Sequence, residues 1–74
     1  MLNKDRFKSE RQFEIAMDAI DRAYEKRYGK SGVEDMGRNA YGDFIDNIFY
    51  ASDESAFSGT DEEIAEMWSN PGFE

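Results

Sequence analysis

The chain contains no cysteine and no histidine, and none of its nine lysines and arginines lies beyond Arg38. Without cysteine there is no disulfide framework and no thiolate ligand, a composition that suits a reducing cytosol. Without histidine the chain lacks the commonest general base, the commonest transition-metal ligand and the one side chain that titrates unperturbed near neutrality. The longest apolar run is Ile48–Ala51, far short of the roughly 20 residues that span a bilayer. Residues 1–15 carry no continuous hydrophobic segment of the secretory kind. There is no strand-like alternation, internal repeat or low-complexity segment. No glycine-rich phosphate loop, nucleophile elbow or Ser/Lys pair appears either. The expectation is a cytoplasmic protein without catalytic, cofactor-binding or metal-ligating residues.

What is present is a lopsided charge distribution. Residues 1–38 hold nine basic and eight acidic side chains, whereas residues 39–74 hold nine acidic and no basic ones, so the net charge of −8 belongs to the second half. That half also carries Tyr41, Phe44, Phe49, Tyr50, Phe57, Trp68 and Phe73, seven of the eleven aromatics. Phosphate and anionic lipid repel such a surface, which argues against direct nucleic-acid or membrane binding. A chain of 74 residues forms one domain and buries only about 60–65% of its unfolded surface. Aromatics, each burying roughly 150–250 Å², carry much of that small core.

Helical periodicity predicts an all-α fold of three helices. After a basic lead-in at residues 1–8, Ser9 and Gln12 have capping-box spacing, and Phe13, Ala16, Met17, Ile20, Ala23 and Tyr24 recur at intervals of three and four. The first helix thus covers about 10–28 and stops at Gly29. Ser31 and Glu34 repeat the cap. Val33, Met36, Gly37, Ala40, Tyr41, Phe44, Ile45, Ile48 and Phe49 form a second stripe, read as one helix over about 32–51. Gly37 lies on its apolar face, where a glycine permits a close helix crossing, and Gly42 on its polar face, where it can mark a kink. A loop over Ser52–Gly59 tucks Phe57 inward. Thr60 and Glu63 cap a third helix at about 61–69, with Ile64, Met67 and Trp68 on one face. Asn70-Pro71-Gly72 ends it, leaving residues 70–74 as a tail. The first two helices form an antiparallel hairpin that the third closes.

Three surfaces stand out. Glu10, Glu14, Asp18, Asp21 and Glu25 lie within about 80° of arc on the first helix, a like-charge stripe that disfavours a helix unless neighbours compensate it. Arg11, Arg22 and Lys26 run beside it, with Ile15 among them, an exposed aliphatic suited to the core, a second copy or a partner. The second half presents Asp35, Asp43, Asp46, Asn47 and Tyr50, then Asp53 and Glu54, then Asp61, Glu62, Glu63 and Glu66. These carboxylates are solvated, face the first helix's cations, or await an external cation. A calcium loop starting at Asp53 fails, because Phe57 falls at the fifth position and Ser58 where glycine is needed.

The expected function is therefore binding of another protein. The partner-binding residues are Asp43, Asp46, Tyr50, Asp53, Glu54, Asp61, Glu62, Glu63, Glu66 and Trp68, joined by Glu14, Asp18, Asp21 and Glu25. Their counterpart is a protein with a basic surface, such as a nucleic-acid-handling enzyme or complex, which the domain would inhibit by charge mimicry. Tyr50, Phe57, Trp68 and Phe73 are the candidates for aromatic anchors. In size and charge the chain resembles phage-encoded inhibitors of host defence or transcription, such as anti-CRISPR and anti-restriction proteins, a likeness of composition. The alternative is a helical accessory module that homodimerises or joins a larger assembly, pairing its basic first half with the acidic half of a neighbour.

Overall fold

A computed structural model describes residues 6–69, and the caps expected at Ser9, Ser31 and Thr60 each open a helix. Helix α1 runs Glu10–Tyr28, α2 Gly32–Met36, α3 Arg38–Ala51 and α4 Asp61–Trp68, with a 3₁₀ turn at Glu54–Phe57 between the last two. Ser9 Oγ accepts the Gln12 amide, and Gly29 closes α1 in the left-handed conformation at φ 80°. Thr60 and Glu63 form a complete capping box on α4. The small all-α fold is as expected. The Asn70-Pro71-Gly72 stop, Phe73 and most of the lead-in lie outside the described residues.

The single helix over 32–51 is corrected: Gly37 splits it. Its φ of 89° and ψ of 158° fall in a region that is essentially glycine-only. There it serves as both C-cap of α2 and N-cap of α3. The break rotates α2 out of register with α3, which leaves Val33 45% exposed although the unbroken stripe places it in the core. No helix crosses at Gly37, since a Cβ there would meet nothing within 4 Å. The close approach is one turn earlier, at Gly32, where a Cβ would fall 2.0 Å from Cε1 of Tyr41. Glycine at position 32 lets the Tyr41 ring lie directly on the α2 backbone. Gly42 produces no break, and α3 passes through it.

The core is a chain of rings and aliphatics: Phe7, Ile20, Tyr24, Tyr41, Ile45, Phe49, Phe57, Ile64 and Trp68, all buried. Phe13 packs on Phe49 near one end of α1, and Tyr24 packs on Tyr41 near the other. These pairings make α1 and α3 antiparallel, as expected of the hairpin. Backbone approach is closest between α1 and α4, where Ala16, Ala19 and Ala23 keep the α1 surface low; α3 is held off by its large rings. The end of the lead-in is also structural. Phe7 is 5% exposed and its ring lies 4.9 Å from Phe57 and 5.5 Å from Phe49. Arg6 donates to the carbonyls of Phe49 at 2.5 Å and Ser52 at 3.2 Å, neutralising the negative end of α3. Its guanidinium also sits 3.9 Å from the Phe57 ring centre.

Candidate functional site

The amphipathic period of α3 decides what the second half offers to solvent. Tyr41, Ile45 and Phe49 point inward, so Asp43, Asn47 and Tyr50, offset by half a turn, point away from the core. Tyr50 is 88% exposed, an unusual position for a large aromatic that has a buried ring of its own kind two turns away. Asp43, two turns earlier on the same face, is exposed and, among the described residues, makes no ion pair. Asp46 is half-buried at the edge of this face and is already engaged. Asp53 continues the negative surface past the end of the helix, exposed and without an ion pair among the described residues.

The other predicted carboxylates divide into structural and exposed groups. Asp61 accepts from Arg11 Nε at 3.0 Å and from Gln12 Nε2 at 3.2 Å. The Gln12 hydrogen bond, with the Arg11 guanidinium behind it, lowers the Asp61 pKa. Glu63 accepts the Thr60 amide at 2.9 Å, and that backbone donor holds its pKa down as well. Asp21 accepts the Tyr41 hydroxyl. Glu54 pairs with Arg6 at 3.3 Å and Asp18 with Arg22 at 3.1 Å. The α1 stripe is therefore not a uniform row of free charge, because Asp18 and Asp21 are both spoken for. Glu62 and Glu66, one turn apart on α4, are exposed and unpaired among the described residues, as are Glu14 and Glu25 on α1.

Trp68 is a correction. It is 3% exposed, its indole N–H donates to the Ala56 carbonyl at 3.0 Å, and its ring stacks edge-on against Phe49. Phe57 is 2% exposed and is a core residue too. Of the aromatic anchors among the described residues, Tyr50 alone faces outward. The inward Phe57 is as the loop reading expects, and what fails for both rings is the anchor role: a small domain needs its largest rings inside, and α4 has only Ile64 and Trp68 to bury. No family model, curated protein or solved structure matches this chain.

A second surface lies on the opposite side. Ile15, Ala19 and Ala23 of α1 and Ala65 of α4 floor a groove of about 570 Å³, rimmed by Arg11, Arg22 and Lys26 with Glu14, Asp18 and Ser69. The sequence singled out Ile15 among three cations; the structure adds the α4 wall that makes a concavity of them. Gln12 and Arg6 carry roles that sequence spacing misassigned or passed over. The Gln12 side chain does not return to Ser9 as a capping box requires, but donates to the Gly59 carbonyl at 3.0 Å and to Asp61, tying α1 to the start of α4. Among the described residues no three carboxylates converge on a point that could hold a metal ion. No helix there is long and apolar enough to cross a membrane.

Proposed function

We propose that this chain is a non-enzymatic protein-binding domain whose α3 face occupies a basic, nucleic-acid-binding surface of a partner protein and thereby inhibits it. The observation that carries the reading is Tyr50, 88% exposed on the same face as Asp43 two turns earlier, in a half of the chain with no lysine or arginine. An exposed ring with carboxylates around it is the composition of an interface centre, where a rigid aromatic supplies buried area and flanking charge supplies orientation. Asp53, Glu62 and Glu66 extend the negative field that steers a cationic partner toward it. The paired carboxylates Asp21, Asp61 and Glu63 belong to the fold and take no part.

The test is capture of a nucleic-acid-handling protein from cell lysate, compared between the natural chain and an Asp43→Lys, Tyr50→Ala variant. The expected result is a captured protein that its own nucleic acid displaces, with binding falling at least tenfold in the variant and steeply with salt. Undiminished binding by the variant, or no competition by nucleic acid, overturns the reading.

A further inference from the structure

We infer that the α1–α4 groove is a docking site for the α3 face of a second copy of this chain, so that the domain associates with itself head to tail. The groove has an apolar floor and a rim of three cations and two carboxylates, and the α3 face carries an aromatic with a carboxylate two turns away, so ring can meet floor and carboxylate can meet cation. Their spacings also agree. Ile15 and Arg22 are seven residues apart on α1, and Asp43 and Tyr50 are seven apart on α3; at about 1.5 Å rise per residue, both spans are about 10.5 Å along the helix axis. Antiparallel apposition of the two helices therefore sets Tyr50 on Ile15, next to the small Ala19, and Asp43 opposite Arg22.

Two of the three rim cations can take a new partner, Arg11 being held by Asp61. Among the described residues Arg22 holds only Asp18, in a pair whose side chains are 81% and 62% exposed, and such solvated pairs exchange at little cost. Lys26, one turn further along, makes no ion pair among the described residues. The net charge of −8 opposes association at long range, but at physiological ionic strength screening sets in within about 8 Å. Contact pairs survive that screening better than the overall repulsion does. Groove and α3 face are different patches, so the contact either closes into a ring, the smallest being a two-fold pair that uses it twice, or continues as an open chain. The same α3 face serves the partner proposed above, so self-association holds it covered until a partner competes.

Sedimentation velocity of the natural chain at about 0.15 M salt, with nothing else present, decides the matter. The expected mass rises with concentration above the 8.6 kDa of a single chain. Arg22→Glu and Asp43→Lys should each hold the mass near the single-chain value, and the two combined in one chain should restore the rise. Mixing Ile15→Glu, which spoils the groove, with Tyr50→Ala, which spoils the face, leaves one usable contact and should yield a 1:1 complex. Circular dichroism confirms that each variant is helical, and Arg22→Gln stands in for Arg22→Glu if the reversal unfolds the chain. A single-chain mass at all concentrations, a rise indifferent to either substitution, or no restoration in the combined variant overturns the inference. Because no partner is present, none of these outcomes bears on the proposed inhibition.

Discussion

The two ends of the α1–α3 pair are closed by different chemistry. Near the start of α1, Phe7, Phe13, Phe49, Phe57 and Trp68 form a box of edge-to-face and tilted rings, with centroids 4.9–6.3 Å apart. Near the end of α1, Tyr24, Tyr28, Tyr41 and Phe44 pack at similar distances, but the phenols carry polar tips. The Tyr24 hydroxyl donates to Asp35 at 2.5 Å, and that carboxylate also meets Lys30 at 3.5 Å; the Tyr41 hydroxyl donates to Asp21. Both ends gain the burial and quadrupole complementarity of aromatic pairs. Only the tyrosine end couples that gain to protonation. The ring box should therefore set the magnitude of stability, and the tyrosine end its dependence on alkaline pH.

The largest effect should come from breaking the box at its centre. Phe49 is 1% exposed and its ring meets Phe7, Phe13, Phe57 and Trp68. Phe49→Ala should cost about 3–5 kcal/mol, enough to unfold much of so small a domain at room temperature, read as lost ellipticity in a thermal melt. A loss under about 1.5 kcal/mol would show that the box collapses around the gap and that its rings are not interdependent.

At the tyrosine end the tightest joint is Gly32 against the Tyr41 ring. Gly32→Ala should destabilise by about 1–3 kcal/mol through overpacking. Gly42→Ala, where nothing lies within 4 Å of the added methyl, should instead be neutral or stabilising by up to about 1 kcal/mol. If the two substitutions behave alike, the ring does not rest on the α2 backbone as described.

These two glycines show what a one-dimensional reading of the chain captures and where it stops. Caps are local, so Ser9, Gly29, Thr60 and Glu63 are legible from spacing alone, and with them the helix starts. Whether a glycine interrupts a helix depends on what its neighbours do in three dimensions. Periodicity carries straight through Gly37, and only the packing of Tyr41 on Gly32, which requires α2 to turn back, reveals the break. The candidate site divides along the same line. That Asp43 and Tyr50 face outward follows from the period of α3. That Trp68 is core, and that Asp61 is held by Arg11 and Gln12 some fifty residues away, depends on contacts that no local pattern encodes. Phe7 gave little signal because it is a lone aromatic between Arg6 and Lys8.

Removing one phenol oxygen sharpens the contrast between the ends. Tyr41→Phe keeps the ring on Gly32 and loses the hydrogen bond to Asp21, a cost of about 1 kcal/mol at neutral pH. Ionisation of a tyrosine that donates to a carboxylate is opposed, so the Tyr24 pKa is pushed up to about 12 by its bond to Asp35, and burial with the Asp21 contact raises Tyr41 as well. A folded-state pKa raised above the unfolded value near 10 gives stability that is complete below about pH 10 and lost as pH climbs through the folded values. Asp35, Asp61 and Glu63 are lowered by their donors, Tyr24, Gln12 and the Thr60 amide respectively. Their contribution is complete above about pH 4–5 and disappears as pH falls through the depressed values. Denaturant midpoints across pH should show a plateau with an acid and an alkaline limb, and Tyr41→Phe should flatten the alkaline limb while leaving the acid one unchanged. An alkaline limb identical in both proteins would mean that the tyrosine end does not set it.

The smallest expected effect lies on the surface that neither end uses. Asp43 and Tyr50 touch nothing in the core, so Asp43→Asn with Tyr50→Ser should shift stability by no more than about 0.5 kcal/mol. The sign should tend to favour the variant, because one negative charge leaves a chain that already repels itself. A thermal melt that moves by less than a few degrees would separate this face from both ends of the helix pair. Folding would then place no demand on an 88% exposed aromatic or on a carboxylate without an ion pair among the described residues, and their presence would call for a ligand. A loss of 2 kcal/mol or more would instead make the face part of the fold, and the docking roles assigned to it would have no surface left to act through.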